Sequence, residues 1–224
     1  MIKSKGIFII NFKENDEEFV ENLSWNTLNQ GYDKAKKFFE YSGEINPIRI
    51  CFVYSPEEYL FFSGYPKYEK WMKACTGYHN TIYILAPSVV EEYTIHAKED
   101  TLKTLIHEIA HFFYGYSSMK KNLTILPLWD EGIANYIADK KIDLPENLHF
   151  SSLRNFTDNP ATNYILGYNL IKNIMDYFKE NGNKKIIEFL NKAKQNDDEE
   201  LLFKKFEEVF EVNISIIMKG GKEK

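Results

Sequence analysis

The stretch Thr104-Leu105-Ile106-His107-Glu108-Ile109-Ala110-His111 decides how the chain is read. It carries the pattern H-E-x-x-H inside a segment whose apolar residues recur at helical spacing. At about 100° per residue, His111 lies roughly 40° round a helix from His107, and Glu108 roughly 100° round. Thr104 and Gly115 share that arc. Leu102, Leu105, Ile106, Ile109, Ala110, Phe112 and Phe113 fall on the opposite one. One face is built for burial and the other for chemistry. Asp100 stands where a helix N-cap is expected.

Two imidazoles one helical turn apart can grip a single metal ion, with a carboxylate beside it. A catalytic zinc takes three nitrogen, sulfur or oxygen ligands from the protein and leaves a position open for water. It lowers the pKa of that water to about 7. Glu108 is then the expected general base, taking the water's proton and passing it to a leaving amine. His107 and His111 are two ligands, and a third must come from elsewhere. His149, Asp130 and Glu131 are the downstream candidates. The metzincin class needs Gly and His at fixed offsets after the motif, and Tyr114 and Ser117 stand there instead.

Composition bounds the rest. The chain has 224 residues, enough for one sizeable or two-lobed domain. Apolar residues make up 44% and aromatic residues 16%, which supports a real core. Net charge is −5 and no Lys/Arg block stands out, so nucleic acid is not an expected partner. No apolar run approaches the roughly 20 residues of a membrane span. Cys51 and Cys75 make no ligand cluster and read as buried thiols rather than a disulfide. The short apolar run Ile7 to Phe12 follows two lysines but has no small-residue cleavage site after it. It reads as a first strand, and the chain as cytoplasmic.

In order, Asp16 to Tyr41 is expected to form one long helix, closed by Gly43 and Pro47. Ile48 to Tyr54 is a β-rich strand. Ser55-Pro56-Glu57-Glu58 is a helix start with Pro and acids in the first turn. Glu69 to Ala74 suggests a short helix. Thr81 to Leu85 is a strand suited to be an edge for an extended peptide. Beyond the metal helix, helices are expected over Leu128 to Lys140, Thr162 to Glu180, Lys184 to Lys194 and Asp198 to Phe210, with breaks at Pro145 and Asn159-Pro160. The front half mixes strands and helices and the back half is helical. The fold class is therefore α+β: a lobe over residues 1–120 with a small mixed sheet and the metal helix, a helical lobe over 121–219, and the active site between them.

Glu131 sits in Pro127-Leu128-Trp129-Asp130-Glu131-Gly132-Ile133-Ala134-Asn135, with nineteen residues between it and His111. Here the sequence resembles the gluzincins, in particular the peptidase MA-like domains related to helical-lobed aminopeptidases. Their hallmark is H-E-x-x-H, a Trp-rich turn, then E-G-x-A on the next helix. The resemblance implies a zincin-like fold, a bound Zn2+, and Glu131 as third ligand. Tyr164-Ile165-Leu166-Gly167-Tyr168 looks like the family's tyrosine segment, which implies Tyr164 as oxyanion donor, with Tyr168 as the alternative one turn on. No G-x-M-E-N-like segment precedes His107, where related aminopeptidases hold a free amine. That points to endopeptidase action on a peptide or protein substrate. Glu131-x-x-Ala134-Asn135 also loosely resembles the phage-repressor-cleaving metallopeptidases, whose Glu usually lies further downstream.

Two further readings compete with the enzyme. One is a peptide-binding module that keeps the fold but no longer cleaves; peptide cleavage lost on chelation separates the two. The other is a structural zinc, which usually closes with four protein ligands, and no fourth is apparent. Asn135, one turn after Glu131, is a candidate acceptor for a ligand His. Trp129, Ile133 and Ile137 share one face and read as core. His79, His96 and His149 read as unrelated to the metal.

Overall fold

Parallel strands need crossovers, and crossovers here put helices on the faces of a small sheet. The computed structural model describes residues 1–77, 79–140, 142–143, 152–154 and 160–218. The chain divides into two compact units: Met1–Lys34 with Ser42–Phe112, and Ala35–Tyr41 with Phe113–Lys224.

The first unit holds a five-stranded mixed sheet in the order β1-β2-β3-β5-β4. The strands are β1 (Ile2–Lys5), β2 (Phe8–Asn11), β3 (Ile48–Val53), β4 (Ala74–Gly77) and β5 (Thr81–Leu85). The chain is thus α+β, as expected. β2, β3 and β5 run parallel, and the edge strands β1 and β4 run antiparallel to their neighbours. Ile2–Lys5, which the sequence left outside any element, pairs with β2 through a hairpin. Gly6 takes the tight turn at φ 61°. Phe8, Ile10, Ile48, Ile50, Ile82 and Ile84 are fully buried on one face of the sheet.

Two helical segments are packed in this unit beside that face. Phe8 meets Tyr32 of α2 (Trp25–Phe38) edge to face, with ring centroids 6.1 Å apart. Gly31 of α2 leaves space for Ile106 of α5 (Thr101–Lys121); a Cβ there would lie 2.6 Å from the Ile106 side chain. The long helix expected over Asp16 to Tyr41 is in fact interrupted. A short α1 (Glu17–Glu21) ends at Asn22, and Ser24 opens α2 by accepting from Thr27 N at 3.4 Å. Ser24 competes for the backbone as an N-cap, which a continuous apolar pattern conceals. Asp16 is buried, and its two carboxylate oxygens accept from Ser88 N and Ser88 Oγ, each at 2.9 Å.

The opposite face of the sheet carries Asn11, Cys51, Tyr83 and Cys75 in one row. α3 (Pro56–Ser63) covers part of it, stacking Phe62 on Tyr83 at 4.5 Å. The expected start of α3 holds in detail: Ser55 Oγ accepts from Glu58 N at 3.2 Å and Pro56 is the first residue. Gly64 ends the helix at φ 72°. Below α3, Val53, Tyr59, Met72, Leu85 and Val90 form a small apolar cluster; Val90 opens α4 (Val90–Tyr93). Cys51 and Cys75 are half-buried free thiols. They sit two strands apart, about 9–10 Å by strand spacing, beyond the reach of a disulfide.

Two expectations change around β4. Glu69 to Ala74 is not a helix, and Ala74–Gly77 is a strand. Ala and Gly are poor strand formers by themselves, so this strand owes its state to pairing with β5. Consequently β5 is paired on both sides and β4 is the edge.

The second unit is built on α6 (Pro127–Ile137) and α7 (Pro160–Phe178). They cross at two glycines: a Cβ on Gly132 would lie 2.4 Å from the Gly167 carbonyl oxygen, and one on Gly167 would lie 2.3 Å from that of Leu128. Only glycine on both helices permits this approach. Trp129, Ile133 and Ile137 are all buried. Trp129 donates from Nε1 to Leu153 O at 2.9 Å and packs on Phe189, Phe206 and Phe210. Those rings come from α8 (Gly182–Lys192) and α9 (Glu199–Phe210), the latter capped by Asp198 accepting from Leu201 N at 2.8 Å. A last helix, α10 (Ile214–Met218), was not expected. The anticipated breaks at Pro145 and Asn159, and the chain end from residue 219, lie outside the described residues. No helix among the described residues is long and apolar enough to cross a membrane.

Candidate metal centre

Helix α5 sets the first part of the site. Leu105, Ile106, Ile109, Ala110, Phe112 and Phe113 are buried, as the apolar arc requires, but His107 and Glu108 are buried too, at 3% and 6% exposure. Burying an imidazole and a carboxylate without use is costly. Their spacing brings His107 Nε2 and His111 Nε2 to 3.0 Å, with the rings at 82° to each other. Two nitrogens on one tetrahedral zinc, each bonded at about 2.0–2.1 Å, stand roughly 3.4 Å apart. The pair is therefore within a few tenths of an ångström of a chelating arrangement.

Glu131 is on α6, directly before Gly132 of the glycine crossing. One donor atom each of His107, His111 and Glu131 falls within 4.8 Å of the other two. Among the described residues no other cluster of three or more His, Cys, Asp or Glu side chains closes around one point. Two neutral nitrogens and a carboxylate form a donor set that suits zinc. Asp130 lies outside the cluster, and its charge adds to the burial that raises the Tyr114 phenol well above its usual pKa. His79 and His96 are also outside it; His96 Nε2 instead lies 2.8 Å from Trp71 O. His149 falls outside the described residues.

Glu108 has a partner that the sequence reading missed. Thr76 Oγ1, on the edge strand β4, donates to Glu108 Oε2 at 2.7 Å. The same hydroxyl is 3.4 Å from the Glu108 backbone carbonyl. No local signal marks Thr76, because the pairing spans more than thirty residues and depends on a strand the sequence had not placed. The neighbouring Cys75 thiol is pushed up to about 12, first by burial and then by the Glu108 charge, so it stays protonated.

Tyr164 and Tyr168 both lie on α7, Tyr164 one turn before the Gly167 crossing. Tyr164 is half-buried. Tyr168 is buried, at 7% exposure, and burial raises its pKa; Lys172 lowers it and Asp139 and Asp176 raise it. Asn135 is fully buried one turn after Glu131, with neither amide atom hydrogen-bonded among the described residues. Leaving such a group unsatisfied costs about 1–3 kcal/mol, so it marks a position where a partner is called for.

Comparison with protein-family models, curated proteins and solved structures gives no match for this chain.

Proposed function

We propose that the protein is a zinc-dependent metallopeptidase of gluzincin type, with a zincin-like fold, acting as an endopeptidase on peptide or protein substrates. The observation that carries this reading is the His107–His111–Glu131 cluster with Glu108 one residue along the same helix. His107, His111 and Glu131 would hold the ion. Bound there, zinc would supply Lewis-acid activation of water and of the scissile carbonyl.

The chain's own residues do the rest. Glu108 takes a proton from the attacking water as its oxygen bonds to the carbonyl carbon. Glu108 then delivers that proton to the amide nitrogen as the C–N bond breaks, yielding a carboxylic acid and an amine. Tyr164 donates its phenolic hydrogen to the oxyanion; a phenol with an unperturbed pKa near 10 keeps that hydrogen at neutral pH. Tyr168, drawn instead among Asp139, Lys172 and Asp176, is the weaker candidate. An extended substrate pairs with β4, the edge nearest Glu108, rather than with β5. A module that binds without cleaving is less well supported, because Glu108 is present and held in place by Thr76.

Incubation with a mixed peptide library tests the reading. Cleavage that stops on chelation and returns with added zinc is the expected result. No cleavage by zinc-loaded protein would overturn it.

A further inference from the structure

Among the described residues β4 ends the sheet, so half of its peptide groups have no strand there to pair with. Leu85 N donates to Lys73 O at 2.9 Å, which marks Lys73 and Leu85 as a hydrogen-bonded pair. In an antiparallel ladder such pairs alternate. Cys75–Tyr83 and Gly77–Thr81 are then also bonded pairs, and the peptide groups of Ala74 and Thr76 turn away from β5. Tyr59 Oη already donates to Ala74 O at 2.9 Å. Thr76 therefore presents its N–H and C=O outward while its side chain faces α5 and holds Glu108.

We propose that Thr76 is a positioning residue that couples the seating of substrate on β4 to the aim of Glu108, a proposal that rests on the peptidase reading above. The Thr76 hydroxyl has one hydrogen to give. The short bond to a carboxylate outcompetes the longer contact to the Glu108 carbonyl, because charge-assisted bonds are the stronger. Engaging Oε2 fixes the carboxylate's rotation and leaves Oε1 to accept the water's proton. A peptide that pairs with the Thr76 main chain pins the same residue, so binding and base alignment meet at one position.

Thr76→Val keeps the β-branched shape and removes the donor; Thr76→Ser keeps the donor. With zinc content and melting temperature matched to wild type, Thr76→Val should lose about 10–100-fold in kcat, the scale of a misplaced catalytic group. KM should stay within about threefold, since the main-chain contacts are kept. Thr76→Ser should restore most of kcat. Binding of a phosphinic peptide, which mimics the tetrahedral species, should weaken in Thr76→Val by a factor similar to the kcat loss and recover in Thr76→Ser. Wild-type kcat in Thr76→Val, a loss confined to KM, or an equal loss in Thr76→Ser would overturn the proposal and leave the peptidase reading standing. A wild-type protein that cleaves no peptide overturns the reading, and the proposal with it.

Discussion

Replacing Gly167 with alanine tests how the second unit is held together. The new methyl would sit 2.3 Å from Leu128 O and 2.9 Å from both Gly132 N and Gly132 Cα. All of these are backbone atoms in α6, so no side chain can rotate aside. Carbon contacts become favourable only near 3.5 Å, so the helices must part by roughly 1 Å. Overpacking of this kind costs about 1–3 kcal/mol, and contact with backbone places it at the upper end. Alanine returns about 0.5–1 kcal/mol by restricting the unfolded chain. The net loss is about 2 kcal/mol, or roughly 4–8 °C in Tm for a chain of this size. Gly115→Ala is the matched control: it too lies inside a helix, but its Cβ would meet nothing within 4 Å. It should leave Tm unchanged or raise it slightly. Thermal melts of the two variants decide the matter, and a Gly167→Ala protein as stable as Gly115→Ala would refute the close crossing.

Two further outcomes follow from the His107–His111–Glu131 cluster. Glu131→Ala should lose most bound zinc while Asp130→Ala retains it, as read by metal analysis of purified protein; the reverse pattern would remove Glu131 from the ligand set. Tyr164→Phe should cut kcat by about 10²–10³-fold with zinc and folding unchanged, on the scale of losing one oxyanion donor. Tyr168→Phe should do much less, and kinetics on one peptide would expose a swapped assignment.

What could be read from the sequence follows the range of the interactions involved. The His107–His111 pairing is local: four residues of helix bring the two nitrogens together whatever else folds around them. The Ser55 cap and the Asp198 cap are local in the same sense. The break at Asn22–Ser24 was hidden because apolar residues on either side keep a similar spacing. β4 is not legible in the sequence because Ala74-Cys75-Thr76-Gly77 has little strand character until β5 pairs with it. The same strand carries Thr76, so the partner of Glu108 was lost with it. Gly132 and Gly167 were visible only as parts of motifs; that they touch is a fact of tertiary packing. Glu131 came from a family pattern rather than from geometry, and the structure places it in the same cluster as the two histidines.

Glu108→Gln tests most directly whether the carboxylate beside the proposed zinc site acts as the general base of hydrolysis. The amide keeps the volume and can still accept from Thr76, but it cannot take a proton from water. Peptide cleavage by wild type and Glu108→Gln should be compared at equal, measured zinc content. Full zinc occupancy in both and a loss of about 10²–10⁴-fold in turnover for the variant are expected. Turnover equal to wild type in zinc-loaded Glu108→Gln would contradict it.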